Sequence, residues 1–162
     1  MTRLSIWCGK LWKNDTALTR RKFLIYPIGI IAMAKMISPH FSYNEMVCRC
    51  GECNRADMDP DFMKLLEEIR KAYGKPMVIS SAFRCDVHNA DVSTVKNGPH
   101  TFANNGSRAA DVLVSGSRAM ELFTVAKQVG ANGLGVSQKG PHKDRFIHID
   151  GVERSDQAMW SY

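Results

Sequence analysis

No apolar run in the 162-residue chain reaches the ~20 residues that a membrane-spanning helix requires. The best candidate, Phe23 to Ala34, has 12 residues and is interrupted by Pro27 and Gly29, so a spanning helix is excluded. No internal repeat or low-complexity tract is visible, and a hydrophobic fraction of 44% excludes disordered and fibrous classes. A charge excess is also missing where it would matter. The net charge of +6 arises in residues 1–35, which carry seven Lys/Arg against Asp15 alone. From Met36 onward 15 basic residues face 15 acidic ones. Nucleic-acid binding needs a basic face on the folded part, so no nucleic-acid partner is expected.

What is present suits one domain with a single core. Residues 1–35 read as an N-terminal extension and residues 36–162 as the folded domain. Thr19-Arg20-Arg21-Lys22-Phe23-Leu24, the apolar Ile25–Ala34 and the small-x-small Ala32-Met33-Ala34 resemble a twin-arginine export signal. Translation starting at Met33 or Met36 is the alternative. Under either reading the extension lies outside the fold.

Within the domain, Asp59-Pro60 followed by Phe62, Leu65, Leu66, Ile69 and Tyr73 has helical spacing, with Gly74 as its stop. Pro76–Ser80 reads as a strand. Ser117–Val129 reads as a second helix, with Met120, Leu122, Phe123, Val125 and Ala126 as apolar positions and Gly130 as its end. Ala109–Val114, Gly133–Val136 and Phe146–Asp150 are strand candidates. This order predicts an α+β domain with a small antiparallel sheet flanked by helices.

Three side chains stand out as metal-ligand candidates. His100 follows the turn Asn97-Gly98-Pro99. Asp111 ends Ser107-Arg108-Ala109-Ala110-Asp111, where two alanines permit close packing. His148 lies in Phe146-Ile147-His148-Ile149-Asp150, whose alternation puts Phe146, His148 and Asp150 on one face. Two imidazoles and a carboxylate form a three-ligand zinc set with a fourth position open, as hydrolysis needs. By spacing alone the signal is weak.

The ordered series Ser80-Ser81-Ala82-Phe83-Arg84-Cys85, His88-Asn89, Gly98-Pro99-His100, Arg108-Ala109-Ala110-Asp111, Gly133-Leu134-Gly135-Val136 and Phe146–Asp150 is more specific. It resembles the zinc D-alanyl-D-alanine carboxypeptidase and L-alanyl-D-glutamate endopeptidase family, which includes phage endolysins and shares its fold with the hedgehog signalling domain. The resemblance runs from about Phe41 to Trp160. It implies zinc held by His100, Asp111 and His148, and an Arg84 that contacts a substrate carboxylate or the polarised carbonyl. A structural ion pair is the plainer role for Arg84. The implied activity is hydrolysis of peptide bonds in peptidoglycan, with stem peptides as partner and a monomeric enzyme.

Three departures accompany the resemblance. Ten residues separate His100 from Asp111 where the family usually has six, and Asn104-Asn105-Gly106-Ser107 reads as a turn inserted in a longer hairpin. Ala82 and Phe83 replace the family's Gly and Tyr. Arg145 occupies the position, three residues before the last zinc histidine, where several members carry an acid. For the general base Asp150 ranks first, Asp144 next and His142 third, and the rival role for Asp150 is to orient His148 or Arg84 by a hydrogen bond. The missing acid favours a non-catalytic module of the same fold that binds a wall polymer or protein partner; a virion-associated component that opens the wall is a further alternative. A signal in residues 1–34 would send the protein to the periplasm or cell wall. Without one, a phage-encoded product would stay in the cytoplasm until lysis.

Cys48, Cys50, Cys53 and Cys85 form a second group. Cys50-x-x-Cys53 has ligand spacing, so structural zinc, disulfides and free thiols all remain open, with a tie between the Cys48–Cys53 loop and Cys85 favoured.

Overall fold

The computed structural model describes residues 34–101 and 105–162. The export-signal reading and the alternative start at Met33 lie outside them, as does Asn104 of the insertion. Lys35 already belongs to the fold, because its carbonyl accepts the Tyr43 N–H at 2.7 Å.

The elements are β1 (Met36–Ser38), β2 (Phe41–Ser42), α1 (Tyr43–Met46), α2 (Pro60–Tyr73), β3 (Val78–Ser81), α3 (Asp86–Val92), β4 (Ala109–Leu113), α4 (Ser117–Val129), β5 (Gly133–Ser137), β6 (Phe146–Asp150) and β7 (Ala158–Ser161). A 3-10 turn, His142–Asp144, precedes β6. Helix α2 starts where its chemistry dictates. The Asp59 carboxylate accepts the Asp61 and Phe62 N–H groups at 3.0 and 2.8 Å, Pro60 occupies the first turn, and Gly74 ends the helix in the left-handed region at φ 65°. Helix α4 ends the same way at Gly130. Its buried stripe is Ala119, Leu122 and Ala126, whereas Met120, expected among the apolar positions, points to solvent at 69% exposure. At 100° per residue, only one of Ala119 and Met120 can face the core.

The five-stranded sheet has the order β3-β4-β6-β5-β7, antiparallel except for the parallel pair β5·β7. The fold is α+β. One sheet face carries Ile79, Val112, Leu134, Ile147 and Ile149 into a core completed by Phe62, Leu66 and Ile69 of α2 and Leu122 and Ala126 of α4. The other face carries a row across the strands. Ser81 pairs with Asp111, Asp111 with His148, His148 with Gly135, and Gly135 with Trp160. Adjacent paired residues share a face, so this register assembles the polar side chains.

The described part of the insertion does not extend a hairpin. Ser107 forms a parallel bridge with Met58, its N–H reaching the Asp57 carbonyl at 2.7 Å and its carbonyl accepting Asp59 N–H at 2.9 Å. Gly106, at φ 138°, lies so close that a Cβ there would meet Asp59 N at 2.5 Å. Gly106 and Ser107 are therefore docked on the lead-in to α2.

Candidate metal centre

Each of the three candidate ligands is held from behind. The His100 loop is pinned by Arg84 N–H to the His100 carbonyl (2.8 Å), Thr101 N–H to the Gly98 carbonyl (2.9 Å) and Arg108 N–H to the Pro99 carbonyl (2.8 Å). His100 Nδ1 lies 2.7 Å from the Ala82 carbonyl. Since a carbonyl only accepts, the proton sits on Nδ1 and the Nε2 lone pair faces the cluster. His148 Nε2 lies 3.2 Å from Asp150 Oδ2. That carboxylate also accepts Arg154 Nη1 and Nη2 at 2.6 and 3.0 Å and Val152 N–H at 3.0 Å. Burial alone would raise the Asp150 carboxyl, but His148, Arg154 and Val152 hold it below the ordinary value. It is ionised, so His148 donates from Nε2 and turns the Nδ1 lone pair inward.

Asp111 completes the set. Its Oδ1 is 2.8 Å from His148 Nδ1 and 3.3 Å from His100 Nε2, and the two imidazole nitrogens are 3.1 Å apart. Its Oδ2 accepts Arg84 Nη2 at 2.8 Å, while Arg84 Nε reaches Ser81 Oγ at 2.9 Å. Burial would raise the Asp111 carboxyl, yet the His100 and His148 rings hold it well below the usual carboxylate range. Burial pushes His100 down against the pull of Asp111. Burial also acts to lower His148, but Asp111 and Asp150 on its two sides raise it.

All three side chains are buried and their ligand atoms face one another. With both outward protons committed, no proton remains between three inward lone pairs in neutral-imidazole form. That arrangement is repulsive until a cation occupies it. A tetrahedral ion with ligands at ~2.1 Å sets donor atoms about 3.4 Å apart, close to the 2.8–3.3 Å found here. The residues fit zinc.

The row continues into β5 and β7. The Trp160 ring lies 5.2 Å from the His148 ring, and the Arg154 guanidinium lies 5.9 Å from the Trp160 ring centroid. Gly135 makes room for this, because a Cβ would meet Trp160 Nε1 at 2.8 Å and His148 Cβ at 3.0 Å. A Cβ on Gly133 would collide with the Asp150 carboxylate and approach Arg154 Nη1 at 2.8 Å. At the end of the row, burial pushes the Tyr162 phenol up, and the charge of Asp111 adds to that.

His100, Asp111, His148 and Arg84 are brought together, Asp150 adjoins them, and His142 and Asp144 lie apart. Asp150 touches the outer nitrogen of His148 with both carboxylate oxygens engaged and is fully buried. His142 and Asp144 lie on the 3-10 turn, at the Leu113–Phe146 end of the sheet. His142 Nδ1 meets Ser115 Oγ at 3.3 Å, and neither residue bonds to the cluster among the described residues. Residue 144 precedes the strand and never enters the His148 row. Arg145 clips the turn instead, donating from Nε and Nη2 to the Gly140 carbonyl at 3.0 and 2.8 Å. Arg154 and Trp160 escaped the sequence reading as site residues, whereas the paired glycines were in it as a strand motif without a stated role. The alternation Gly133-Leu134-Gly135-Val136, small on one face and apolar on the other, was the available signal.

Residues 39–150, well over half of the chain, match the family described as Peptidase M15. No curated protein matches the chain significantly.

Proposed function

The chain belongs to the Peptidase M15 family, a family of zinc-dependent peptidases, and on that premise we propose that it hydrolyses peptide bonds of bacterial peptidoglycan at a zinc ion held by His100, Asp111 and His148. The observation that carries this reading is the convergence of three buried lone pairs whose outward protons are already committed. Bound there, zinc would supply Lewis acidity, bringing the pKa of water toward ~7 and polarising a carbonyl.

The chain's own residues would do the rest. Ala82 and Asp150 fix the imidazole tautomers. Arg154 keeps Asp150 ionised, so His148 cannot turn its proton inward. Arg84 uses Nε and Nη2 to brace Ser81 and Asp111, which leaves Nη1 for a substrate carboxylate or the oxygen that gains charge. Trp160 walls the His148 side against water. The stem peptide of peptidoglycan suits such a site because it carries carboxylates beside its D-residues, matching a single fixed guanidinium.

The test is mass spectrometry of purified peptidoglycan incubated with zinc-loaded protein, with His148→Ala as control. Cleaved stem peptides with the active protein alone would support the reading, and the new termini would distinguish D-Ala-D-Ala from L-Ala-D-Glu cleavage. A second reading draws on one observation: no carboxylate with a free oxygen touches the cluster among the described residues. It makes the domain a non-catalytic zinc module that binds the wall. Intact muropeptides together with co-sedimentation on insoluble peptidoglycan would favour it.

A further inference from the structure

Away from this centre, Cys48, Cys50 and Cys53 follow α1 in a stretch without helix or regular ladder, and Cys85 stands at the N-cap of α3. Their four sulfurs lie within 4.8 Å of one another, with Cys48 Sγ and Cys85 Sγ at 3.7 Å. A disulfide would bring one pair to ~2.05 Å and leave the others apart. A tetrahedral ion bound to sulfur at ~2.3 Å spaces its thiolates about 3.8 Å apart. The observed spacing is that of the second arrangement.

The surroundings are arranged for negative sulfur. Gly51 adopts the left-handed conformation at φ 79°, which lets the Cys50–Cys53 turn aim Glu52 N–H and Cys53 N–H at Cys50 Sγ at 3.4 and 3.3 Å. Cys85 N–H points at Cys48 Sγ at 3.4 Å, and His88 Nδ1 lies 3.3 Å from the same sulfur. Donors aimed at sulfur offset the charge that several thiolates around one ion would accumulate.

We propose that Cys48, Cys50, Cys53 and Cys85 bind a second zinc ion, with a structural role. It ties the irregular Cys48–Cys53 loop to the segment that carries Arg84. An all-sulfur tetrahedral set selects zinc or iron over hard cations, and a closed set of four leaves no position for substrate. The tie bears on the first centre through the backbone. Phe83 N–H reaches the Met46 carbonyl at 3.3 Å and Arg84 N–H the His100 carbonyl at 2.8 Å, so the clamped segment runs between the cysteine loop and the His100 loop. The site stands independently of the peptidase reading, since no catalytic step uses a cysteine.

The experiment uses the full chain with Cys8→Ser, purified without reductant or chelator, so that every thiol counted belongs to the cluster. Metal analysis should find about two zinc per chain, one of which is lost in His148→Ala and the other in Cys53→Ser or Cys85→Ser. If the cysteine variants do not fold, Co2+ loading of the otherwise intact chain decides. Thiolate ligation gives a sulfur-to-cobalt charge-transfer band that a His/Asp/His site cannot produce. The proposal is overturned by a missing band, by a disulfide linking any two of the four cysteines, or by four thiols that iodoacetamide alkylates equally fast with and without zinc. Iron in place of zinc would overturn the metal assignment.

Discussion

At the scale of single residues, two ring protons decide what the centre can hold. Ala82 and Asp150 draw those protons outward, and Asp111 then stands before two imidazole lone pairs. His148→Ala removes one inward nitrogen. The expected outcome is loss of the bound zinc, loss of turnover, and a melting temperature lower by roughly 2–4 °C for each kcal/mol of binding energy forfeited. Retained zinc and full turnover would sink the ligand assignment. Asp150→Asn separates an orienting group from a base. Orientation predicts a loss of about 10–100-fold in metal affinity, with activity recovering as zinc is raised. A base would keep its metal and lose several hundred-fold in turnover. Asp144→Asn, made alongside, should stay within about twofold, as exposed surface changes do. The three candidate ligands that the structure brings together could be picked out in the sequence because each sits in its own short motif. For Asp150 the sequence offered both a base and an orienting group and could not choose, because Arg154, which engages its carboxylate, lies past the strand end in an irregular segment where neither spacing nor periodicity signals a contact.

The elements show the same division. Helices α2 and α4 could be read to their ends because the signals are local: Asp59 and Pro60 at one start, Gly74 and Gly130 at the two stops. Strand β7 could not, because four residues that pair in parallel with β5 carry no alternation of their own and depend on the sheet already being there. Strand β5 then does two jobs, with Leu134 in the core and Gly135 under the His148–Trp160 contact. Gly135→Ala should cost about 1–3 kcal/mol by overpacking and weaken zinc binding through His148. Denaturant melts with and without zinc measure both, and an unchanged zinc affinity would detach β5 from the centre. The β1–β2 hairpin is tied to α2 by Glu67, which accepts Ser38 Oγ, His40 N–H and the His40 ring at 2.7, 2.8 and 2.6 Å. Burial would raise this carboxyl, but the three bonds hold it below its ordinary 4.5. A depressed carboxyl contributes stability above its unfolded value and loses it as pH falls through the folded one. Glu67→Gln should therefore destabilise by about 1.5–3 kcal/mol near neutrality. The gap should close in acid, below the unfolded value, and a gap independent of pH would refute the ionic role.

For the whole molecule, the formal charge is unevenly spread between residues 1–33 and the rest of the chain. The buried hydrophobic cluster of the described residues is built from Phe41 onward, and the first backbone tie is the Lys35 carbonyl. The +6 charge lies almost entirely before Ala34, since residues 1–33 hold six basic side chains and Asp15, and without them the formal charge is +1. The sequence suggests a boundary near Met36 through its change of composition, and the Lys35 carbonyl is already tied to Tyr43. The lead-in strands were hidden because β1 and β2 have only three and two residues. We predict that a chain beginning at Ala34 melts within about 2 °C of the full-length protein. It should bind the same zinc and cleave the same muropeptides. What should change is surface behaviour. At neutral pH and low salt the full chain should be held by a cation exchanger and the shortened one should pass through, and moderate salt should erase the difference because exposed charges are screened. A drop of several degrees, or aggregation of the shortened chain alone, would mean that Phe23–Ala34 covers apolar surface of the domain. The extension would then belong to the fold.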